Sequence, residues 1–318
     1  MKTKRAFLTD IRKMEVREVE ISPGPGQILV KVGGCGLCNW ELNHWKGLIG
    51  ENPQVLGHEW AGTVVELGEN VEGFEIGDSI TGEAADMAGF SEYLIANAKG
   101  CFKLEKQVDT KTALVEPLQC IVTVLNAAAP EAGDYGLING CGSMGLWCVQ
   151  ALAGNYLGAL IAVDISDHRL ELAKKYGATH TINPKKEDVK QRIAEISKGH
   201  MADFVIEGTG VPALLNTAVT YLRKNGRGRL VLMSSHEEAC KEFDFREAID
   251  RSIEIRVAHP KYALKPPDNL RRAIEFINRG TFKMDDIITH RFTLDEIQEA
   301  FETLEHRPEG YIKGVVIP

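Results

Sequence analysis

Tyr135-Gly-Leu-Ile-Asn139 runs straight into Gly140-Cys-Gly142-Ser-Met-Gly145, and Met144–Ala153 reads on as a helix. A short apolar β-type run, a glycine-rich turn and a helix, in that order, open a βαβ unit. The glycines have separate uses: a tight turn, close approach of backbone to a pyrophosphate, and close helix–strand packing. The helix start offers free N–H groups and the positive end of its dipole to an anion. Gly140, Gly142, Ser143, Met144 and Gly145 are therefore candidate dinucleotide-binding residues. Asp164 closes the next strand-like run, Ala159–Val163, 19 residues beyond Gly145. An acidic residue there suits the 2′-hydroxyl of an adenosine ribose and repels a 2′-phosphate, which favours NAD over NADP. Arg169, five residues on, could bond the ribose or stack near the adenine. Asp164 could instead simply cap the following helix, with Arg169 solvated.

The alternation continues outward from this stretch. A helix is expected over His168–Tyr176, ending at Gly177. Then follow a strand at Phe204–Ile206, a helix at Pro212–Arg223, and strands at Leu230–Met233 and Glu254–Val257. Strands separated by helices of this length imply a parallel sheet, a doubly wound Rossmann-type unit expected to span residues 127–257. Upstream the pattern is different. Glu15–Ile21, Ile28–Val32, Ala61–Leu67 and Tyr93–Ile95 read as short strands. Turn signals at Ser22-Pro-Gly-Pro-Gly26, Gly68-Glu-Asn70 and Gly77-Asp78 separate them, as in a mostly antiparallel β domain. The tail has helical stretches at Asn269–Asn278 and Leu294–Glu305 and a last strand at Gly314–Ile317. It does not extend the alternation and is assigned back to the first domain, giving 1–126 with 258–318.

Of 318 residues, 44% are hydrophobic and 26% charged, an ordinary globular balance. A net charge of −8 without any basic cluster argues against a nucleic-acid partner. Met1–Asp10 has no apolar core of signal-peptide length, and no run of about 18 apolar residues offers a membrane span. The seven cysteines, an odd number and scattered, read as reduced thiols of a cytoplasmic protein.

The β-rich part holds a second group of chemical residues: Cys35-Gly-Leu-Cys38-Asn-Trp40-Glu41-Leu-Asn43-His44, Gly57-His58-Glu59 and Val115-Glu116-Pro-Leu118. Cys38, His58, Glu59 and Glu116 offer a thiolate, an imidazole and two carboxylates. Catalytic zinc uses three such ligands and leaves one position open, where it acts as a Lewis acid on an alcohol or carbonyl oxygen. Cys35-Gly-Leu-Cys38 could be a redox pair, but that motif opens a helix in a thioredoxin-like unit, and this stretch is β-rich. Cys35 is read as structural.

These motifs, in this order and spacing, resemble the zinc-dependent medium-chain dehydrogenase family of alcohol, sorbitol, threonine and butanediol dehydrogenases. Gly77-Asp78, Gly89-Phe-Ser-Glu-Tyr93, Glu207-Gly-Thr-Gly210, Ile288-Thr-His-Arg-Phe292 and Lys313-Gly-Val-Val-Ile317 extend the match over nearly the whole chain. The resemblance implies a GroES-like β-rich catalytic domain beside the Rossmann domain, with the site in the cleft between them. It implies one zinc per subunit on Cys38 and His58, NAD, a secondary alcohol such as a polyol, cyclitol, aminopolyol or diol, and a homodimer or homotetramer. The third ligand stays open between Glu59 and Glu116, which could exchange. Glu41 would orient His58 from behind.

Two positions depart from the family. Where it usually has Ser or Thr two residues after the zinc cysteine, this chain has Trp40; where a relay histidine often stands, it has Asn43. Indole donates a hydrogen bond but cannot accept a proton. Proton transfer then falls to Glu59, Glu116 or His44, with Trp40 walling the pocket. The family's four-cysteine structural-zinc lobe is absent between Gly82 and Gly89. His259 and Lys261 stand where the family approaches nicotinamide and substrate. A zinc-free quinone-reductase-like enzyme and a non-catalytic NAD-binding regulator are the alternative readings.

Overall fold

β1 (Lys2–Asp10) turns through Ile11 and Arg12 into β2 (Lys13–Glu20), and the two form a separate antiparallel pair. The chain is described here from a computed structural model covering residues 1–84, 87–224, 226–234, 239–258 and 266–318. β3 (Gln27–Gly36) leads into the short helix α1 (Asn39–Trp45), and β4 (Glu59–Leu67), β5 (Ser79–Ala84) and β6 (Tyr93–Lys103) follow. Each of these strands pairs antiparallel with the next, and β6 returns to pair with β3, so the four close on themselves. Closure removes the unpaired edges that such short strands would otherwise expose.

β3 is twice the length of the Ile28–Val32 run expected from β propensity, because it continues through Gly33 and Gly34. Glycine weakens a strand unless another backbone comes close. Here one does: a Cβ on Gly33 would lie 2.3 Å from Thr110 Oγ1, and one on Gly34 2.4 Å from the Lys111 carbonyl oxygen.

After α2 (Glu116–Ala128) the alternation begins. β7 (Tyr135–Asn139), α3 (Ser143–Leu152), β8 (Ala159–Val163), α4 (Asp167–Lys175), β9 (His180–Ile182) and α5 (Val189–Ile196) come first. β10 (Phe204–Glu207), α6 (Leu214–Tyr221), β11 (Arg229–Leu232), α7 (Phe245–Arg251), β12 (Glu254–Val257) and α8 (Pro266–Asn278) complete it. The six strands form a parallel sheet in the order β12-β11-β10-β7-β8-β9. The first strand lies centrally, its two successors on one side and the last three on the other, which is the doubly wound Rossmann arrangement. β8 and β10 are buried at every residue, as a sheet covered on both faces requires.

The tail supplies β13 (Ile288–Phe292), a 3-10 turn (Leu294–Glu296), α9 (Ile297–His306) and β14 (Lys313–Val316). β14 pairs with the end of β3, at Cys35 and Gly36, and β13 pairs with β14. Phe301 of α9 stacks on Trp45 at 6.0 Å and meets Phe90 edge-on at 5.8 Å, joining the tail to the core of the β unit. Two compact units result: Met1–Leu118 with Leu270–Pro318, and Gln119–Asn269. Their limits fall inside α2 and α8, whereas the sequence suggested residues 126 and 258. Among the described residues no helix is long and apolar enough to cross a membrane, and the seven cysteines are free of disulfides. His259 and Lys261 lie outside the described residues.

Candidate metal and dinucleotide sites

Cys38 ends the turn after β3 and stands at the N-cap of α1 with an extended backbone; its side chain makes no cap bond. The thiol is thus left for another use. His58 immediately precedes β4 and Glu59 is its first residue. Gly57, before them, has φ +111°, and a Cβ there would lie 2.4 Å from the Phe90 nitrogen, so only glycine lets the chain turn here. Cys38, His58 and Glu59 each present a ligand atom within 4.8 Å of the others.

Glu41, fully buried on α1, fixes this group from behind. Its Oε1 accepts hydrogen bonds from the backbone N–H of Gly57 (2.6 Å) and of His58 (3.1 Å), and lies 2.9 Å from His58 Nδ1. A carboxylate only accepts, so Nδ1 carries the proton and Nε2 is turned toward the cluster. Burial disfavours a charged His58, yet Glu41 and the Cys38 thiol hold its pKa well above the usual imidazole range. Burial, reinforced by Glu59, raises the Cys38 thiol, against the pull of His58.

Glu59 is 1% exposed and is paired with Lys313, itself buried, whose Nζ lies 2.9 Å from Oε1 and 2.6 Å from Oε2. Burial works against the ammonium, but the Glu59 carboxylate outweighs it and raises the lysine pKa. Gly36 makes the room: a Cβ there would come 2.1 Å from Glu59 Oε2. The sequence reading did not single out Lys313. A signal existed, since a lone lysine opens the otherwise apolar strand Lys313-Gly-Val-Val316, and a buried cation needs a partner.

Glu116, the first residue of α2, places its Oε2 3.7 Å from His58 Nε2. It stands next to the group of three rather than within it. Trp40 is half-exposed, its ring centroid 5.5 Å from that of His58 and 4.2 Å from that of His44. His44 is buried, and burial lowers its pKa. Asn43 puts no proton acceptor in the relay position.

In the second unit the glycine turn sits at the end of β7, the central strand. Gly140 has φ +99°. A Cβ on Gly145 would fall 1.9 Å from the Gly140 carbonyl oxygen, so any side chain would force the turn apart. Gly142, N-cap of α3, has nothing within 4 Å of where a Cβ would stand, which leaves the helix start open to a ligand. Ser143 and Met144 form the first turn of α3. Asp164 follows β8 and does not cap the next helix; Ser166 does. One Asp164 oxygen accepts from the Cys141 N–H (2.7 Å) and the other from Ser166 (2.9 Å), so the carboxylate ties the glycine turn to the neighbouring strand. Arg169 Nη1 lies 4.0 Å from Asp164.

The comparisons agree with the folds of the two units. A family model described as the alcohol dehydrogenase GroES-like domain matches residues 24–106, and one for zinc-binding dehydrogenases matches residues 143–279. The chain is 29% identical to L-threonine 3-dehydrogenase of Pyrococcus abyssi (strain GE5 / Orsay), over 98% of this chain and 96% of that protein. It is 27% identical to sorbitol dehydrogenase of Halalkalibacterium halodurans (strain C-125), over 90% of each. Among solved structures, 2R,3R-butanediol dehydrogenase from Bacillus subtilis superposes with a TM-score of 0.86 at 26% identity, over 99% of each chain. A closed β unit holding thiol, imidazole and carboxylate, and a doubly wound unit with the glycine turn on its central strand, carry the same conclusion. The chain belongs to the zinc-dependent medium-chain dehydrogenase/reductase family.

Proposed function

We propose that this chain is a zinc-dependent dehydrogenase that moves a hydride between a secondary alcohol, of polyol or diol type, and NAD. The observation that carries the reading is the convergence of Cys38, His58 and Glu59 within 4.8 Å. That donor set fits catalytic zinc, which takes three nitrogen, sulfur or oxygen ligands at about 2.0–2.3 Å and keeps a place for substrate. A quinone-reductase-like enzyme without metal has no use for a thiol, an imidazole and a carboxylate held together in this way.

Cys38, His58 and Glu59 would hold the ion, with Glu41 fixing the His58 ring and Lys313 fixing the Glu59 carboxylate. When bound, zinc supplies Lewis acidity toward the alcohol oxygen and NAD accepts the hydride. Gly140, Gly142, Ser143, Met144 and Gly145 would cradle the pyrophosphate, with Asp164 and Arg169 at the adenosine ribose. Asp164 favours NAD, since its carboxylate repels a 2′-phosphate.

Glu116 takes the substrate proton. Trp40 cannot accept one, His44 lies behind it, and Glu59 is committed to Lys313. Glu116 lies beside the Nε2 edge of His58, where the alcohol oxygen would arrive. In a screen of polyols and diols monitored as NADH absorbance, Glu116→Gln is expected to lower turnover by roughly a hundredfold or more. NADH binding, read by fluorescence, should hold. Unaltered turnover removes Glu116 from proton transfer, and a zinc-loaded wild type that forms no NADH with any such alcohol removes the dehydrogenase reading.

The subunit is proposed to work as a homodimer. Among the described residues β12 is an edge strand whose outward Ile255 and Val257 are 47% and 62% exposed. On the neighbouring α7, Phe245 and Ile249 are exposed as well. A bare parallel-sheet edge beside uncovered apolar side chains invites pairing with a second copy. Ile255→Glu should convert the dimer to a monomer in analytical ultracentrifugation; an unchanged sedimentation coefficient rejects this edge as the contact.

A further inference from the structure

Three of the four tryptophans, Trp45, Trp60 and Trp147, are at most 2% exposed, while Trp40 is 43% exposed. An indole is seldom left uncovered beside a polar cluster, because burying it is worth more than burying almost any other side chain. Packing therefore does not account for Trp40.

Its position is nonetheless well held. Trp40 is the second residue of α1, two past Cys38. The helix is anchored by the buried Trp45 and by Glu41, whose bonds reach Gly57 and His58. On one flank the indole meets His44 at 4.2 Å and 67°. His44 is itself buried, and Gly50 leaves room for its ring, since a Cβ there would come 2.4 Å from Nδ1. On the other flank the indole meets His58 at 5.5 Å and 86°. An exposed aromatic surface is thus braced within one ring's width of the proposed metal ligands.

We propose that Trp40 determines specificity at this site as a stacking platform for ring-shaped polyhydroxy alcohols of cyclitol or pyranose type, in preference to open-chain polyols. This rests on the dehydrogenase reading for the reaction, but not for the binding. The face of an aromatic ring is electron-rich and attracts the slightly positive C–H groups of a saturated ring. A cyclic polyol presents those C–H groups as one rigid surface, with its hydroxyls at the rim, where one can reach His58 and Glu116. An open chain offers the same groups only after freezing several rotors, an entropic cost a ring does not incur. The indole N–H adds a donor for a rim hydroxyl. The family's small hydroxyl residue at this position offers no such surface, which is why the substitution matters for substrate choice and not only for the proton.

With the other three tryptophans buried, iodide-quenchable emission reports Trp40. The test uses zinc-loaded enzyme with NAD, and a panel of cyclic probes (myo-inositol, methyl glucoside, quinic acid) against open-chain xylitol, sorbitol and 2,3-butanediol. At least one cyclic probe is expected to protect the emission from iodide at concentrations where the open-chain probes do not. Among turned-over substrates, Trp40→Ala should lower the cyclic-to-open-chain ratio of kcat/KM roughly tenfold, while Trp40→Phe retains most of it. Equal protection by both classes, protection by none, or an unchanged ratio in Trp40→Ala overturns the proposal. Protection by cyclic probes without NADH formation from any probe keeps the platform and rejects the dehydrogenase reading instead.

Discussion

Replacing His58 by alanine should leave a folded protein without stoichiometric zinc and with turnover lower by roughly three orders of magnitude or more, the scale of several kcal/mol of lost charge stabilisation. His58 is the proposed ligand whose geometry is most completely determined. Glu41 holds both its backbone N–H and its Nδ1, so the ring cannot rotate without breaking buried bonds. Alanine removes the nitrogen and leaves a thiol and a carboxylate, too few to retain zinc against competing chelators. Glu41→Gln gives a graded control. The amide keeps one acceptor oxygen but loses the charge that orients the imidazole, and zinc affinity should fall by about 10–100-fold. Zinc content by atomic absorption, beside NADH formation and circular dichroism, checks both. A His58→Ala protein with full zinc and normal turnover would place the metal elsewhere.

Lys313→Met is expected to have its largest effect on stability. Glu59 is 1% exposed and the Lys313 side chain 8% exposed, and their charged atoms lie 2.6 Å apart. Removing one partner of a buried pair strands the other charge, at a cost of about 3–5 kcal/mol. For the metal-free protein this corresponds to a melting temperature lower by roughly 5–15 °C. Zinc supplies Glu59 with another cation, so part of the loss should return when the ion is added. Scanning calorimetry with and without zinc reads both quantities. If Lys313→Met does not fold, Lys313→Arg keeps the charge with a bulkier head and should lie between. Equal destabilisation with and without zinc would mean that Glu59 is not shared between lysine and metal. An unaltered melting temperature would show that the pair contributes nothing to the fold.

The Rossmann half was legible because its signals are local. Gly140 and Gly145 answer backbone demands within one six-residue turn, and buried parallel strands such as Ala159–Val163 are continuous apolar runs. The short helices α5 and α7 and the strand β9 escaped the reading, since three to eight residues carry too little periodicity. The β half was less legible. β1 and β5 are not anticipated, and the expected run ends at Val32, because β propensity fails at Gly33 and only the nearby Thr110–Lys111 backbone explains the continuation.

The amino-acid sequence by itself determined the chemistry on offer: a thiol, an imidazole and carboxylates in one part, a glycine turn and an aspartate in another. It also determined that Trp40 and Asn43 stand where a proton relay would otherwise be. The tertiary structure decided which groups meet. Glu59 finds Lys313 254 residues away, across the pairing of β14 with β3, and Gly36 clears the space for its carboxylate. Trp40 was equally open to being a packed wall or an exposed surface until the helix around it was placed. Residue types limit which bonds can form, but sequence-distant partners come within 3 Å only through strand register and core packing, and neither is written in any local stretch of the chain.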